Sequence, residues 1–374
     1  ILIIDNCIPT PDQDEGSLYM WNLIKFLKKD GNLIKFVASE ELHETRPEYF
    51  EQMRQIGVEC GVIPYFNSTE SFIKEYAGLF TIAIVTRVNN ADKFLDTIRK
   101  YNPNIKVIFN TIDLHHLREL RHAQLINNQL EINKALDIKD IELKYIRRSN
   151  KTIVVSSKEK EYLASEGLKT ENISVLPLLR ENKEKNISKF RDRSNSLVFI
   201  GNFNHSPNVD ALEYLINDLW PFIKLKSFED HSTNLSLEIV GLNLPEKILN
   251  EIKSSKSNII YHGFVKNLDP IMEKAKLSIA PLRYGAGLKG KIVSSFEYGV
   301  PVIGTEIAFE GINIKHIDCN NSFLASNQEE YYSNIMNFIL DERKWESISS
   351  ELIKFVKDNY SVEGNEALIR DIIY

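Results

Sequence analysis

Short β-rich runs alternate with helical stretches from one end of this chain to the other, and that alternation leaves few folds open. In the first half the strand-like runs fall at residues 1–5, 33–38, 58–64, 82–85, 106–110, 152–156 and 173–177. Helical patterns lie between most of them, for example over 17–29 and 91–100. Strands joined in series by helices pair in parallel and are covered on both faces. Around 179–195 the pattern breaks. RENKEKNISKFRDRSN is polar, highly charged and poor in large apolar residues, the character of a solvated linker. The alternation then restarts at 197–201, 235–240, 259–264, 277–282, 300–305 and 323–325, and 341–374 reads as mostly helical. The expectation is an α/β protein of two domains, 1–180 and 196–374, with 181–195 between them. Ligands of such proteins sit at the carboxyl ends of the strands, here in the cleft between the halves.

Size and charge narrow the function. At 374 residues the chain is too long for one ordinary core. Its 43% hydrophobic and 26% charged content is that of a soluble globular protein. A net charge of −6 argues against nucleic acid as a partner, so a phosphate ligand needs a local cluster of cations. Cys7, Cys60 and Cys319 are far apart and odd in number, which predicts neither a disulfide framework nor a zinc site and points to a reducing, cytoplasmic setting. No apolar stretch approaches the length of a membrane span. The chain opens inside a strand-like ILIID without a methionine, as expected of a piece of a longer protein carrying other domains.

The most informative segment is 277–311, LSIAPLRYGAGLKGKIVSSFEYGVPVIGTEIAFEG. A strand, a glycine loop, an amphipathic helix and a second strand present backbone N–H groups and positive charge to an anion. Arg283, Lys289 and Lys291 surround Gly285, Gly287 and Gly290. The loop nearly matches two nucleotide motifs and fails both. A P-loop needs Ser or Thr after its lysine, where this chain has Ile292. A dinucleotide loop places its first glycine at the strand end in the first βαβ unit, whereas Pro281 to Tyr284 intervene here and the segment lies late in its half. What remains is a helix N-terminus with flexible glycines and cations, which favours a diphosphate.

Three further segments sit where strands end. In Asp12-Gln13-Asp14-Glu15-Gly16-Ser17, Gly16 permits a tight turn and Ser17 is a candidate N-cap. Its acids would repel a phosphate, and would either meet sugar hydroxyls or complement the helix dipole. After the strand at 106–110 come Asp113, His115, His116, Arg118 and Glu119. His115 is placed to hydrogen-bond a substrate hydroxyl, and Asp113 to cap the next helix or orient an acceptor. In 201–211, GNFNHSPNVDA, Asn208 or Ser206 is placed to cap a helix running to about 223.

Together these segments resemble the GT-B glycosyltransferases of the retaining, nucleotide-sugar-dependent group-1 (family 4) superfamily. The resemblance is carried by 281–292, by Tyr298-Gly299-Val300-Pro301-Val302-Ile303, by Glu310-Gly311, by the G-x-F-x-H-x-P-N-x-D-A pattern of 201–211 and by Tyr360-Ser361-Val362-Glu363. It implies two Rossmann-like domains facing each other across a cleft, with the last helix crossing back to the first. It implies a nucleotide-sugar donor on the second domain, a glycan or lipid-linked acceptor on the first, and neither cofactor nor metal. Carried over by position, Arg283 and Lys291 neutralise the departing diphosphate, the backbone from Gly285 to Gly290 donates N–H groups, and His115 lies near the reacting sugar, with Asp113 beside it. The implied donor contacts extend to Gly16, Asn202, His205, Gly287, Leu288, Lys289, Ser294 and Glu297. This chain departs from the superfamily where Ser294 and Ala286 replace two glutamates and where Asn202 and Pro207 replace an Arg and a Lys. Glu297, one helical turn beyond Ser294, is a candidate substitute for the ribose contact.

Glycosyl transfer in bacterial surface polysaccharide synthesis is therefore the leading expectation. A non-catalytic module of a larger glycan-assembly protein and a nucleotide-sugar epimerase stand as alternatives. The basic stretch Lys144-Tyr145-Ile146-Arg147-Arg148 with Lys151 allows at most a peripheral contact with the inner face of a membrane.

Overall fold

A computed structural model describes residues 1–374 other than 183, 184, 256 and 319. The chain forms two compact units, one comprising Ile1–Glu181, Ala286–Leu288 and Ser361–Tyr374, the other Asn182–Gly285 and Lys289–Tyr360. Residues 183 and 184 of the expected linker, and Cys319, lie outside the described residues. Cys7 and Cys60 are free thiols. Among the described residues no helix is long and apolar enough to cross a membrane.

The first unit is built on a seven-stranded parallel sheet of β1 (Leu2–Asp5), β2 (Lys35–Ala38), β3 (Glu59–Gly61), β4 (Ile82–Thr86), β5 (Lys106–Asn110), β6 (Lys151–Val154) and β7 (Ile173–Val175), in the order β3-β2-β1-β4-β5-β6-β7. The central strands are short and almost wholly buried because helices cover both faces, which is why they read as continuous apolar runs, while the edge strands β3 and β7 are more open. The helices are α1 (Glu15–Lys29), α2 (Pro47–Gln55), α3 (Thr69–Tyr76), α4 (Val88–Tyr101), α5 (His115–Leu125), α6 (Gln129–Arg148) and α7 (Ser157–Ser165). Leu2, Ile4, Val85, Val107, Phe109 and Val154 bring the strands into one core with Leu95 and Ile98 of α4 and Leu143 and Ile146 of α6.

The second unit has a five-stranded parallel sheet of β8 (Ser194–Ile200), β9 (Ser236–Val240), β10 (Ile259–Gly263), β11 (Ala275–Ala280) and β12 (Val302–Gly304), in the order β10-β9-β8-β11-β12. Its helices are α8 (Ser206–Tyr214), continued through one π turn into α9 (Trp220–His231), then α10 (Glu246–Ser254), α11 (Asp269–Met272), α12 (Gly290–Glu297), α13 (Gln328–Ile339) and α14 (Glu342–Tyr360). The final helix, α15 (Val362–Ile373), belongs to the first unit, where Arg370 and Tyr374 both bond to Asp30. Gly299 ends α12 at φ +65°, and a Cβ there would stand 2.1 Å from Ser349 Oγ on α14, so only glycine fits this turn.

Two expectations are corrected. Residues 323–325 are not a strand: the segment makes a single parallel bridge, Gly304 to Leu324, and Phe323 instead stacks with Phe309 and Phe338. Nor is 181–195 solvated throughout. Arg193 is only 5% exposed and donates to the carbonyls of Ser188, Met272, Ala275 and Tyr298. Its guanidinium lies over the Trp345 ring, and β8 begins directly after it, at Ser194. Composition does not reveal that a charged residue in a polar run has four of its five N–H donors bonded to carbonyls inside.

Both sheets share one topological feature. The chain leaves β1 on one side and β4 on the other, and likewise β8 and β11. In open parallel sheets the connections diverge at such a point and leave room for a ligand at the carboxyl ends of the two strands. Gly16 follows β1 at the first of these places, and Asn202, His205, Arg283 and the glycine loop follow β8 and β11 at the second, whereas Asp113 and His115 follow β5.

Candidate active site

In the first unit the carboxyl ends of β1 and β4 bring Asp5 and Arg87 together, with Arg87 Nε donating to Asp5 Oδ1 at 3.0 Å. Arg87 is held at φ +71°, a conformation that costs a non-glycine residue free energy and that the surrounding contacts must offset. Burial opposes its charge, but Asp5, Asp113 and Asp14 together raise the guanidinium's pKa, so it stays protonated. Burial likewise raises the pKa of Asp5, with Arg87 pulling the other way. A Cβ on Gly16 would lie 3.5 Å from Arg87 Nη2, which places Gly16 in the first turn of α1 against this cation.

The acids beside Gly16 have structural partners. Asp14, not Ser17, caps α1: its carboxylate accepts from Ser17 N at 2.9 Å and from Ser17 Oγ at 2.6 Å. Asp12 accepts from Tyr49 Oη at 2.7 Å, and Glu15 from Arg180 at 2.5 Å. These acids anchor the turn through tertiary contacts as well as complementing the dipole of α1.

Asp113 does not cap α5. It pairs with Arg118, whose Nη2 donates to His115 Nδ1 at 2.8 Å. The N-terminus of α5 is capped from elsewhere. Glu142, on α6 and fully buried, accepts from the backbone N–H of His115 at 3.2 Å and of His116 at 3.3 Å, and bonds His116 Nδ1 at 2.5 Å. Glu159 on α7 accepts from Leu114 N at 3.2 Å and from Val155 N at 3.0 Å. His116 Nε2 meets Tyr162 Oη at 2.9 Å, which completes a buried chain. His115 is thereby aimed by its backbone and its tautomer is set: Nδ1 accepts from Arg118, so the proton sits on Nε2. Burial and the Arg118 charge lower its pKa, leaving the ring neutral at physiological pH.

In the second unit the carboxyl end of β11 leads into the glycine loop, and β8 leads into α8. Gly285 takes φ +143°, a value that a side chain would strain, and so does Gly287 at +69°, which with Leu288 belongs to the first unit. Lys289 is the residue before α12, and its stem approaches Gly285. Lys291, in the first turn of α12, donates to Asn208 Oδ1 at 2.6 Å and lies 4.8 Å over the Phe199 ring. Arg283 Nε donates to Asp210 Oδ2 at 2.9 Å, its Nη2 bonds the other oxygen, and Tyr214 lies 5.5 Å beneath it. The bond to Asp210 raises the pKa of Arg283. Neither Ser206 nor Asn208 caps α8; the cap position is His205, which makes no side-chain cap bond and is exposed. Asn208 instead donates to the Asn202 carbonyl at 2.8 Å, while Asn202 Oδ1 accepts from Asn204 N at 3.0 Å. Ser294 is buried in the middle of α12. Glu297 is the last residue of α12, so roughly 10 Å of helix rise separates it from the cations at the start.

Residue-type reasoning passed over Asp5, Arg87, Glu142, Glu159 and Asp210. A signal existed for Glu142, which falls on the apolar stripe of α6 with Ile138, Tyr145 and Ile146, where an acid must find a partner. Among the described residues no group of three or more His, Cys, Asp or Glu is arranged to hold a metal ion.

Residues 194–341 match the family described as Glycosyl transferases group 1. Over 96% of both chains this protein is 21% identical to an uncharacterized 44.6 kDa protein in the cps region of Klebsiella pneumoniae. Anabaena HepE, solved with UDP and glucose, superposes with a TM-score of 0.70 at 12% identity over 99% of this chain and 98% of its own. Sucrose-phosphate synthase of Thermosynechococcus elongatus gives 0.67 at 12% identity, over 99% and 96%. TarM gives 0.62 at 14% identity over 82% of this chain, which spans 58% of TarM. A TarM variant from S. aureus was solved with fondaparinux, α-GlcNAc-glycerol and UDP. At these identities the structural likenesses establish the fold, which is GT-B.

Proposed function

We propose that this chain, whose residues 194–341 carry a group 1 glycosyltransferase domain, moves a sugar with retention from a nucleotide diphosphate to a glycan or lipid-linked hydroxyl. The observation that carries this reading is the pair of cations at the glycine loop, Arg283 and Lys291, both held by side chains from the start of α8, Asp210 and Asn208. Breaking the sugar–phosphate bond leaves negative charge on the diphosphate. Oriented cations and N–H groups that meet this charge as it develops lower the barrier without reorganising. In the reading we favour, the bond from the anomeric carbon to phosphate oxygen breaks and the acceptor oxygen bonds the same face. The acceptor's proton passes to the departing phosphate, so no protein base is required. Charge stabilisation is assigned to side chains and backbone, with no metal or cofactor taking part.

His115, neutral and protonated on Nε2, is suited to donate to a sugar hydroxyl. The UDP and glucose of the HepE structure support a nucleotide-sugar donor, and the cps-region relative supports surface polysaccharide synthesis. The test is incubation with UDP-, GDP-, ADP- and dTDP-sugars in the presence of candidate glycan acceptors, following nucleoside diphosphate release and the anomeric configuration of the product by NMR. Release with a retained configuration is expected. A chain that neither binds nor turns over any of these donors sinks the reading, and an inverted product sinks its stereochemistry.

A further inference from the structure

We propose that Asn208 and Asp210 are positioning residues that aim the two cations of the glycine loop, Asn208 acting on Lys291 and Asp210 on Arg283. This rests on reading the glycine loop as a diphosphate site. The two arrangements are parallel. Each cation meets a hydrogen-bonding side chain from the first two turns of α8 and an aromatic ring: Asn208 and Phe199 for Lys291, Asp210 and Tyr214 for Arg283. The amide of Asn208 is oriented by its own second bond. Its Nδ2 donates to the Asn202 carbonyl at 2.8 Å, which turns Oδ1 toward the Lys291 ammonium. A flexible lysine stem is thereby held in one direction by a side chain whose own rotamer is locked, which is how a supporting residue keeps a binding group within reach of its target.

Asp210 differs in chemistry. It grips the Nε and Nη2 edge of the guanidinium with both oxygens, the bidentate geometry that orients an arginine most strongly. It also places a negative charge beside a cation meant for a phosphate. The structure therefore assigns Asp210 two opposed effects, direction and partial neutralisation, whereas Asn208 supplies direction alone. No short motif announces this. Asn208 and Asp210 are two residues apart, and their partners Lys291 and Arg283 lie far downstream.

The experiment is a pair of double-mutant cycles read by calorimetric binding of UDP, GDP, ADP and dTDP. Thermal melts accompany each variant to show that it folds. Asn208→Ala weakens binding of the preferred nucleotide about tenfold in the wild-type background and changes it less than about twofold once Lys291→Ala is present. Asp210→Asn, which keeps an acceptor but removes the charge, strengthens binding several-fold at low salt. That gain vanishes with Arg283→Ala and at high salt. Additive effects in either cycle overturn the assignment while leaving the diphosphate site in place, and a loss with Asp210→Asn that disappears with Arg283→Ala overturns the neutralising effect but keeps the directing one. A wild-type chain that binds none of the four nucleotides overturns both the assignment and the functional reading beneath it.

Discussion

The two charge clusters occupy equivalent places, where the chain diverges from β1 and β4 in one unit and from β8 and β11 in the other, yet they are built in opposite ways. In the first unit the supporting charges are buried: Asp5 is 4% exposed, and Glu142 and His116 are wholly enclosed. Their partners come from β1, β4, α5, α6 and α7, so the cluster helps hold the unit together as well as aiming His115. In the second unit the Arg283 side chain is 45% exposed, and both cations rest on one turn of α8. An exposed ion pair of this kind contributes about 0–1 kcal/mol to stability. The difference is one of burial: the supporting charges of the first cluster are enclosed and tightly satisfied, whereas the Arg283 guanidinium stays near water against an acid from α8.

The strongest way to break this contrast is to remove Glu142. Glu142→Ala strips the partner from buried His116 and two backbone N–H groups, and should cost about 3–5 kcal/mol of stability in urea unfolding. A loss below about 1 kcal/mol would show that the first cluster is not structural. Next in size, Lys291→Ala should lower kcat/KM by about a hundred- to a thousandfold while shifting the unfolding free energy by under about 0.5 kcal/mol. Arg283→Ala should cost activity less, about tenfold, because Asp210 already offsets its charge. A reversed ranking of the two cations would contradict that account.

The smallest effect concerns pH. The folded pKa of His115 lies below the ordinary histidine value of 6.5, through burial and then Arg118. Between those two values the unfolded chain binds a proton that the folded chain refuses, so stability falls as pH drops through about 6.5 and stops falling below the folded pKa. Urea midpoints measured from pH 8 to 5 should show this small decline, and His115→Gln should flatten it. An unchanged slope in that variant would assign the proton to another group.

The legible parts of the molecule were those written locally. The glycine loop, its cations and the helix behind them are contiguous, and the strand alternation announced parallel sheets because buried strands and amphipathic helices have different periods. Buried arginine defeats this kind of reading. Arg193 sits in a polar run that composition assigns to solvent, and only four carbonyls brought in from 188, 272, 275 and 298 make its burial tolerable. The helix caps misled for a related reason. Ser17, Asp113 and Asn208 are all good capping residues by type, but Asp14, Glu142 and Asn202 hold geometries that compete for the same groups.

The order of residues alone determined that this protein has two α/β units, each on a parallel sheet, with a cationic glycine turn late in the chain, since periodicity and backbone permissiveness are properties of neighbours. Which carboxylate faces which cation was decided only by folding. Glu142 reaches α5 from α6, and Asp210 meets Arg283, 73 positions further along the chain. Electrostatic energy depends on distance in space and on burial, and neither is a function of separation along the chain.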